Sequence, residues 1–275
     1  MEFLDYAFLW KGIVSGIFIS VSTSLVGVFL LMKRLSLLGA GLSHAAFGGI
    51  ALAILFNTDP MVFTLLYTVI SSLAVEFLIE RKGLPADTVI SLFFSLGVAL
   101  AIIILGITQN LGSNIYSYLF GSILTVSDRE LLSSVLVCLF SLIFVYVYYR
   151  ELLLISFNEE IAVLRGVKVR ILNYLLIGIA SANIVFAIKA VGLILASSFI
   201  AIPPMSALLV STSFLSTLVI SVCVSLVATF AGIFISLELD IPPSGAVIFC
   251  MVILFLLFVF WRLLVSLRKK FLGAF

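Results

Sequence analysis

The feature that most limits this chain is the spacing of its charges. Residues 190–237 hold no acidic, basic or histidine side chain, a run of 48 residues. A helix needs about 20 apolar residues to cross the hydrocarbon of a bilayer. One run of this length is therefore too long for a single span, and Pro203-Pro204 interrupts its first half. Two spans divided near residues 211–213, where Ser211, Thr212 and Ser213 stand together, fit it better.

The remaining charges cut the chain in the same way. Apolar runs at 12–32, 35–58, 60–81, 88–106, 131–149, 171–188 and 244–261 each have the length of a span. With the two above, the expected number is about nine. Only 10% of residues are charged, against roughly 25% in soluble domains. Mean hydropathy is +1.39. The predicted class is an all-α, polytopic transmembrane bundle, a single domain over residues 1–275. Segment 108–127 carries Gln109, Asn110 and Asn114 and is too polar for a span. It is predicted as an irregular or short interfacial helix, with Tyr116 and Tyr118 at the membrane boundary.

The cations test this division, because positive residues concentrate in cytoplasmic segments. With the N-terminus outside, the inner segments contain Lys33, Arg34, Arg81, Lys82, Arg150, Arg165, Lys168, Arg170, Arg262, Arg268, Lys269 and Lys270. Lys11, Arg129 and Lys189 fall outside. The expected topology is multi-pass in the cell membrane with a cytoplasmic C-terminus. Two acids precede the first cation, unlike the basic start of a cleaved signal peptide. Cys138, Cys223 and Cys250 lie in apolar runs and form no CxxC pair.

One ionisable group stands deep in a span. His44 is the only histidine, within KRLSLLGAGLSHAAFGGIALA at residues 33–53. Small residues recur around it: Gly41, Ala45 and Gly49 on one helical line, Ala40 and Gly48 on the next. This spacing lets another helix approach closely in a membrane. A buried ionisable residue there marks either a functional site or a hydrogen bond to a neighbouring helix.

Between residues 150 and 170 lies the densest charge. A short helix is expected from Asn158 to Leu164, with Asn158 as its N-cap, Glu159 and Glu160 in its first turn, and Gly166 closing it. Its apolar residues Ile161, Ala162 and Leu164 could enter a groove of a partner. No GxxxxGK[ST] loop is present, and a lone histidine excludes HExxH. The spans hold few carboxylates for a proton-driven carrier. A chain without its own energy source, but with a charged cytoplasmic segment, suits a permease docked to a separate motor.

The same residues carry a family resemblance. The 33–53 segment resembles the second-helix motif of permease subunits of ABC importers for zinc, manganese and iron. GLPADTVISLFFSLGVAL, YLFGSILTVS, FNEEIAVLRGV and VGLILASSFIAIPPMSALL are similar to that family's further motifs, in its order. The resemblance covers nearly the whole chain. It implies a non-catalytic, homodimeric permease with a fold similar to that of the cobalamin and siderophore importers. It implies a pair of cytoplasmic ABC ATPases, which alone handle ATP, and an extracytoplasmic metal-binding protein. Membrane lipid is the remaining partner, and nothing points to nucleic acid. The divalent metal is substrate, and no tightly bound cofactor is expected.

The resemblance also assigns roles. His44 becomes a transit ligand for metal, and Asn158, Glu159, Glu160, Ala162, Arg165 and Gly166 become the ATPase-coupling segment. Gly41, Ala45, Gly48, Gly49, Pro203 and Pro204 become packing or pathway residues. One departure stands out: the family has an aspartate four residues before the histidine, where this chain has Ala40. His44 then needs its copy across a dimer axis, soft donors from Cys138, Cys223, Cys250, Met205 or Met251, or a nearly ligand-free path. The alternatives are a permease for siderophores, haem or cobalamin, and a carrier or channel working alone. A membrane-embedded enzyme is more distant, since no catalytic cluster is visible.

Overall fold

The computed structural model describes residues 7–108, 121 and 126–272. Every regular element among them is a helix: α1 (Ala7–Met32), α2 (Leu38–Leu55), α3 (Pro60–Lys82), α4 (Ala86–Thr108), α5 (Asp128–Val147), α6 (Tyr149–Phe157), α7 (Glu159–Leu164), α8 (Val169–Val191), α9 (Leu193–Val210), α10 (Phe214–Leu239) and α11 (Pro243–Leu272). Among the described residues, 9 are long and apolar enough to cross a membrane. That agrees with the number read from charge spacing. The interfacial segment expected around Tyr116 and Tyr118 lies outside the described residues.

Local chemistry sets the boundaries. Pro60 opens α3, and the Asp59 carboxylate accepts hydrogen bonds from the backbone N–H of Met61 and Val62. Gly83 ends that helix at φ +61°. Ser127 and Glu130 form a reciprocal capping box on α5. The uncharged run of 48 residues is cut where expected. Helix α9 stops at Val210, and Ser213 and Ser216 cap each other's backbone to start α10.

Three boundaries differ from expectation. Residues 149–157 form α6, whose Leu152 and Ile155 are buried, so the charged segment holds two short helices. Helix α2 begins at Leu38 because α1 ends in a tight reversal. There Arg34 takes φ +62°, and Leu35 N–H bonds back to the Leu30 carbonyl. Helix α11 continues through the cationic tail to Leu272.

Helices α1, α2 and α8 are the most buried spans, while α4 and α11 are the most exposed. Apolar matching does not hold helices together in lipid, so close approach and hydrogen bonds must. A methyl placed on Gly27 of α1 would collide with the Ile200 carbonyl of α9. That carbonyl is freed because Pro204, four residues on, has no N–H. Pro203 and Pro204 are both buried inside α9. Hydroxyls supply the polar links. The Ser225 hydroxyl of α10 reaches the Ser20 carbonyl at 3.0 Å and Ser24 Oγ at 3.1 Å. Asn183 of α8 donates to Ser141 of α5 at 2.9 Å.

Candidate transit path and docking surface

His44 sits on α2 with its neighbours fixed by the small residues around it. Gly97 of α4 lies so close that a methyl there would overlap the His44 carbonyl oxygen. A methyl on Gly48 would stand 2.9 Å from the Gly97 Cα. Gly41 packs against Ile90 of α4, and Gly49 against Tyr67 and Thr64 of α3. Ala45 is buried beside Gly97. The small residues therefore seat α2 on α4 and α3. His44 and Ala40 are left half-buried, one turn apart on the same helical line. The imidazole lies against Phe94 of α4, with ring centroids 4.1 Å apart.

The candidate soft donors lie on other helices. Cys138, Cys250 and Met251 are buried in α5 and α11, and Cys223 is exposed on α10. Met205 is partly exposed on α9. Among the described residues, no group of three His, Cys, Asp or Glu side chains could hold a metal ion. Within one chain His44 offers a single nitrogen.

The charged segment has the local form expected of it. Asn158 caps α7, its side chain accepting from Ile161 N–H at 3.1 Å. Gly166 closes the turn at φ +79°. Glu160 and Arg165 are exposed. One placement differs from the sequence reading. Ala162 is fully buried against the bundle, so it cannot belong to an outward docking face. Its small side chain is what lets the short helix lie close. The apolar residues that point away are Ile161, Val163 and Leu164, the last 86% exposed. A cleft of about 550 Å³ opens beside them, lined by Glu80, Glu159, Glu160, Val163, Lys168 and Arg170.

Beneath α7 lies a polar cluster that charge counting does not predict. The Lys33 ammonium is 8% exposed and contacts Glu159 Oε1 at 2.8 Å and Asn173 Oδ1 at 2.5 Å. The Asn173 amide donates to the same Glu159 oxygen at 3.1 Å. Partial burial alone would raise the Glu159 carboxyl. The hydrogen bond and charge of Lys33, with the bond from Asn173, outweigh that and hold it below the usual carboxylate range. Buried Glu76 of α3 faces the same group, and Arg170 of α8 pairs with Glu80 of α3. At the opposite ends of the spans, Lys11 pairs with Asp128 at 2.7 Å. Lys33 was legible as a topology marker and as the start of the 33–53 motif, and nothing in the sequence singled out Asn173. Gly97 and Phe94 carried a weak signal, a glycine and an aromatic inside a quoted motif.

Comparisons with known proteins bear on this arrangement. The chain matches a family model described as the ABC 3 transport family over residues 5–262. It is 28% identical over 260 residues to the manganese import system permease protein ScaB of Streptococcus parasanguinis, covering 93% of this chain and 92% of that protein. The solved structure of PsaBC from Streptococcus pneumoniae in complex with Fab superposes with a TM-score of 0.82 at 25% identity, covering 93% and 92% of the two chains. A structure described as a metal-chelate type ABC transporter in an inward-facing conformation gives a TM-score of 0.74 at 25% identity, covering 91% and 85%.

Proposed function

The chain belongs to the ABC 3 transport family, and on that premise we propose that it is the permease of an ATP-driven importer for a divalent transition metal, with manganese as the favoured cargo. It is a multi-pass membrane protein. In the proposed assembly two copies form the path, cytoplasmic ATPases dock on α7, and an extracytoplasmic binding protein delivers the ion. Zinc and iron are the other candidate cargoes. The permease itself moves the ion by alternating access and does no bond chemistry. The Lys33 end of the bundle is placed in the cytoplasm, in keeping with the 12 cations assigned to that side.

The observation that supports this reading most is His44. One accessible imidazole stands on a helix whose other small residues are consumed in packing. A lone nitrogen holds a metal weakly, and a transit site must release what it binds. Neutral imidazole is the commonest metal-ligating side chain, while manganese favours carboxylate, carbonyl and water oxygens. Losing the family's acidic partner at Ala40 weakens the hold further. The likeness to a metal-chelate transporter keeps a second reading alive, in which the path passes a metal bound to an organic ligand.

Uptake of manganese, zinc and ferrous iron into proteoliposomes holding the whole complex tests the assignment. His44→Ala is expected to lower uptake with the ATPase still bound. Ala40→Asp is expected to tighten metal binding and slow release. If both variants transport like the wild type, His44 is a packing residue and the transit site lies elsewhere.

A further inference from the structure

We propose that Lys33 is a positioning residue that ties the docking helix to the base of the His44 helix, so that movement of α7 is passed to α2 through one buried cation. This rests on the reading of α7 as the segment that meets the ATPase. Lys33 is not exposed to a partner. Its side chain is 8% exposed and reaches Glu159 in the first turn of α7 and Asn173 in α8. Glu159 and Asn173 also bond each other, closing a three-membered ring across the α1–α2 turn, α7 and α8. Glu76 of α3 borders this ring from a buried position. Glu159 is 49% exposed and can be hydrated, but the Lys33 ammonium cannot, so losing its partners would leave a buried cation uncompensated.

The covalent path from Lys33 to His44 is short. Lys33 is followed by Arg34, whose left-handed conformation ends α1, and α2 starts at Leu38. His44 stands six residues further, about 9 Å along the helix axis. A non-glycine residue at φ +62° is strained and persists only where its surroundings hold it. Backbone hydrogen bonds from Arg34 to Leu31, Leu35 to Leu30 and Leu38 to Leu35 close the turn. The base of α2 is fixed by packing too, since Gly39 lies on Ile200 and Ser197 of α9. A shift of Glu159 must either break the ring or carry the α1–α2 turn with it. Asn158–Gly166 alone would be a docking handle; Lys33 gives that handle a connection to the path.

The test uses the full complex in proteoliposomes, with metal uptake and ATP hydrolysis measured together. Lys33→Met is expected to leave ATPase assembly and hydrolysis in place, while metal moved per ATP falls about tenfold, the worth of a charge-assisted hydrogen bond. Lys33→Arg should retain most of the coupling. A second measurement does not depend on transport: a spin label at Glu160→Cys, in a background without Cys138, Cys223 and Cys250, should become more mobile in Lys33→Met. Unchanged coupling and unchanged label mobility in Lys33→Met would overturn the proposal. So would an equal loss of coupling in Lys33→Arg, which keeps the cation. If the wild-type complex moves no metal, the cargo reading fails, and label mobility still decides whether Lys33 holds α7.

Discussion

At the scale of single residues, the chain separates contact from chemistry along one helix. Gly41, Ala45, Gly48 and Gly49 are occupied by α4 and α3, and His44 remains accessible between them. Gly97 is the sharpest constraint on this arrangement. Any side chain there meets the His44 backbone, which cannot yield as a flexible side chain would. Gly97→Ala is expected to destabilise the protein by about 1–3 kcal/mol through overpacking. It should also displace α4 from α2 and lower metal uptake. Thermal unfolding of the detergent-solubilised protein measures the first effect. An unchanged midpoint would mean that α2 and α4 separate more easily than their packing implies. The sequence made His44 conspicuous because it is unique. It could not show that its partner ring is Phe94, because that contact depends on the register between two helices.

At the scale of elements, helix number and boundaries were open to reading because charge, serine and proline mark them directly. Ser213 and Ser216 divide the 48-residue run by ordinary capping chemistry, and Asp59-Pro60 start α3 in the same way. Orientation of a short helix about its own axis was not open to reading. Helix α7 has six residues, too few to show a periodic face, and Ala162 turned inward where the sequence suggested an outward role. The structure moves the proposed docking face to Ile161, Val163 and Leu164. Leu164→Glu is expected to weaken co-purification with the ATPase while leaving the isolated permease folded. Ala162→Arg, by contrast, should disturb the permease itself, since it drives a charge into a closed contact. If Leu164→Glu binds the ATPase normally, α7 docks by another face or does not dock at all.

At the scale of the whole molecule, the ends of the spans sort by charge. Lys33, Glu80, Glu159, Arg170 and Asn173 meet at one end, and Lys11 meets Asp128 at the other. The sorting follows the alternation of spans that the sequence implied. Which end faces the cytoplasm is a proposal from the distribution of cations. Labelling of Asn158→Cys by a membrane-impermeant reagent in intact cells would reverse it. The fold was legible because lipid admits few solutions for such a chain. The path was less so, because a transit site has few ligands and one chain holds only part of it.

We propose that this chain moves metal only when a separate ATPase drives it. The direct measurement is manganese uptake into proteoliposomes, comparing the permease alone with the permease joined to its ATPase and supplied with ATP and binding protein. Uptake is expected from the complete complex and none from the permease alone. Sustained metal flux through the permease without ATPase or ATP would identify a carrier or channel and contradict it.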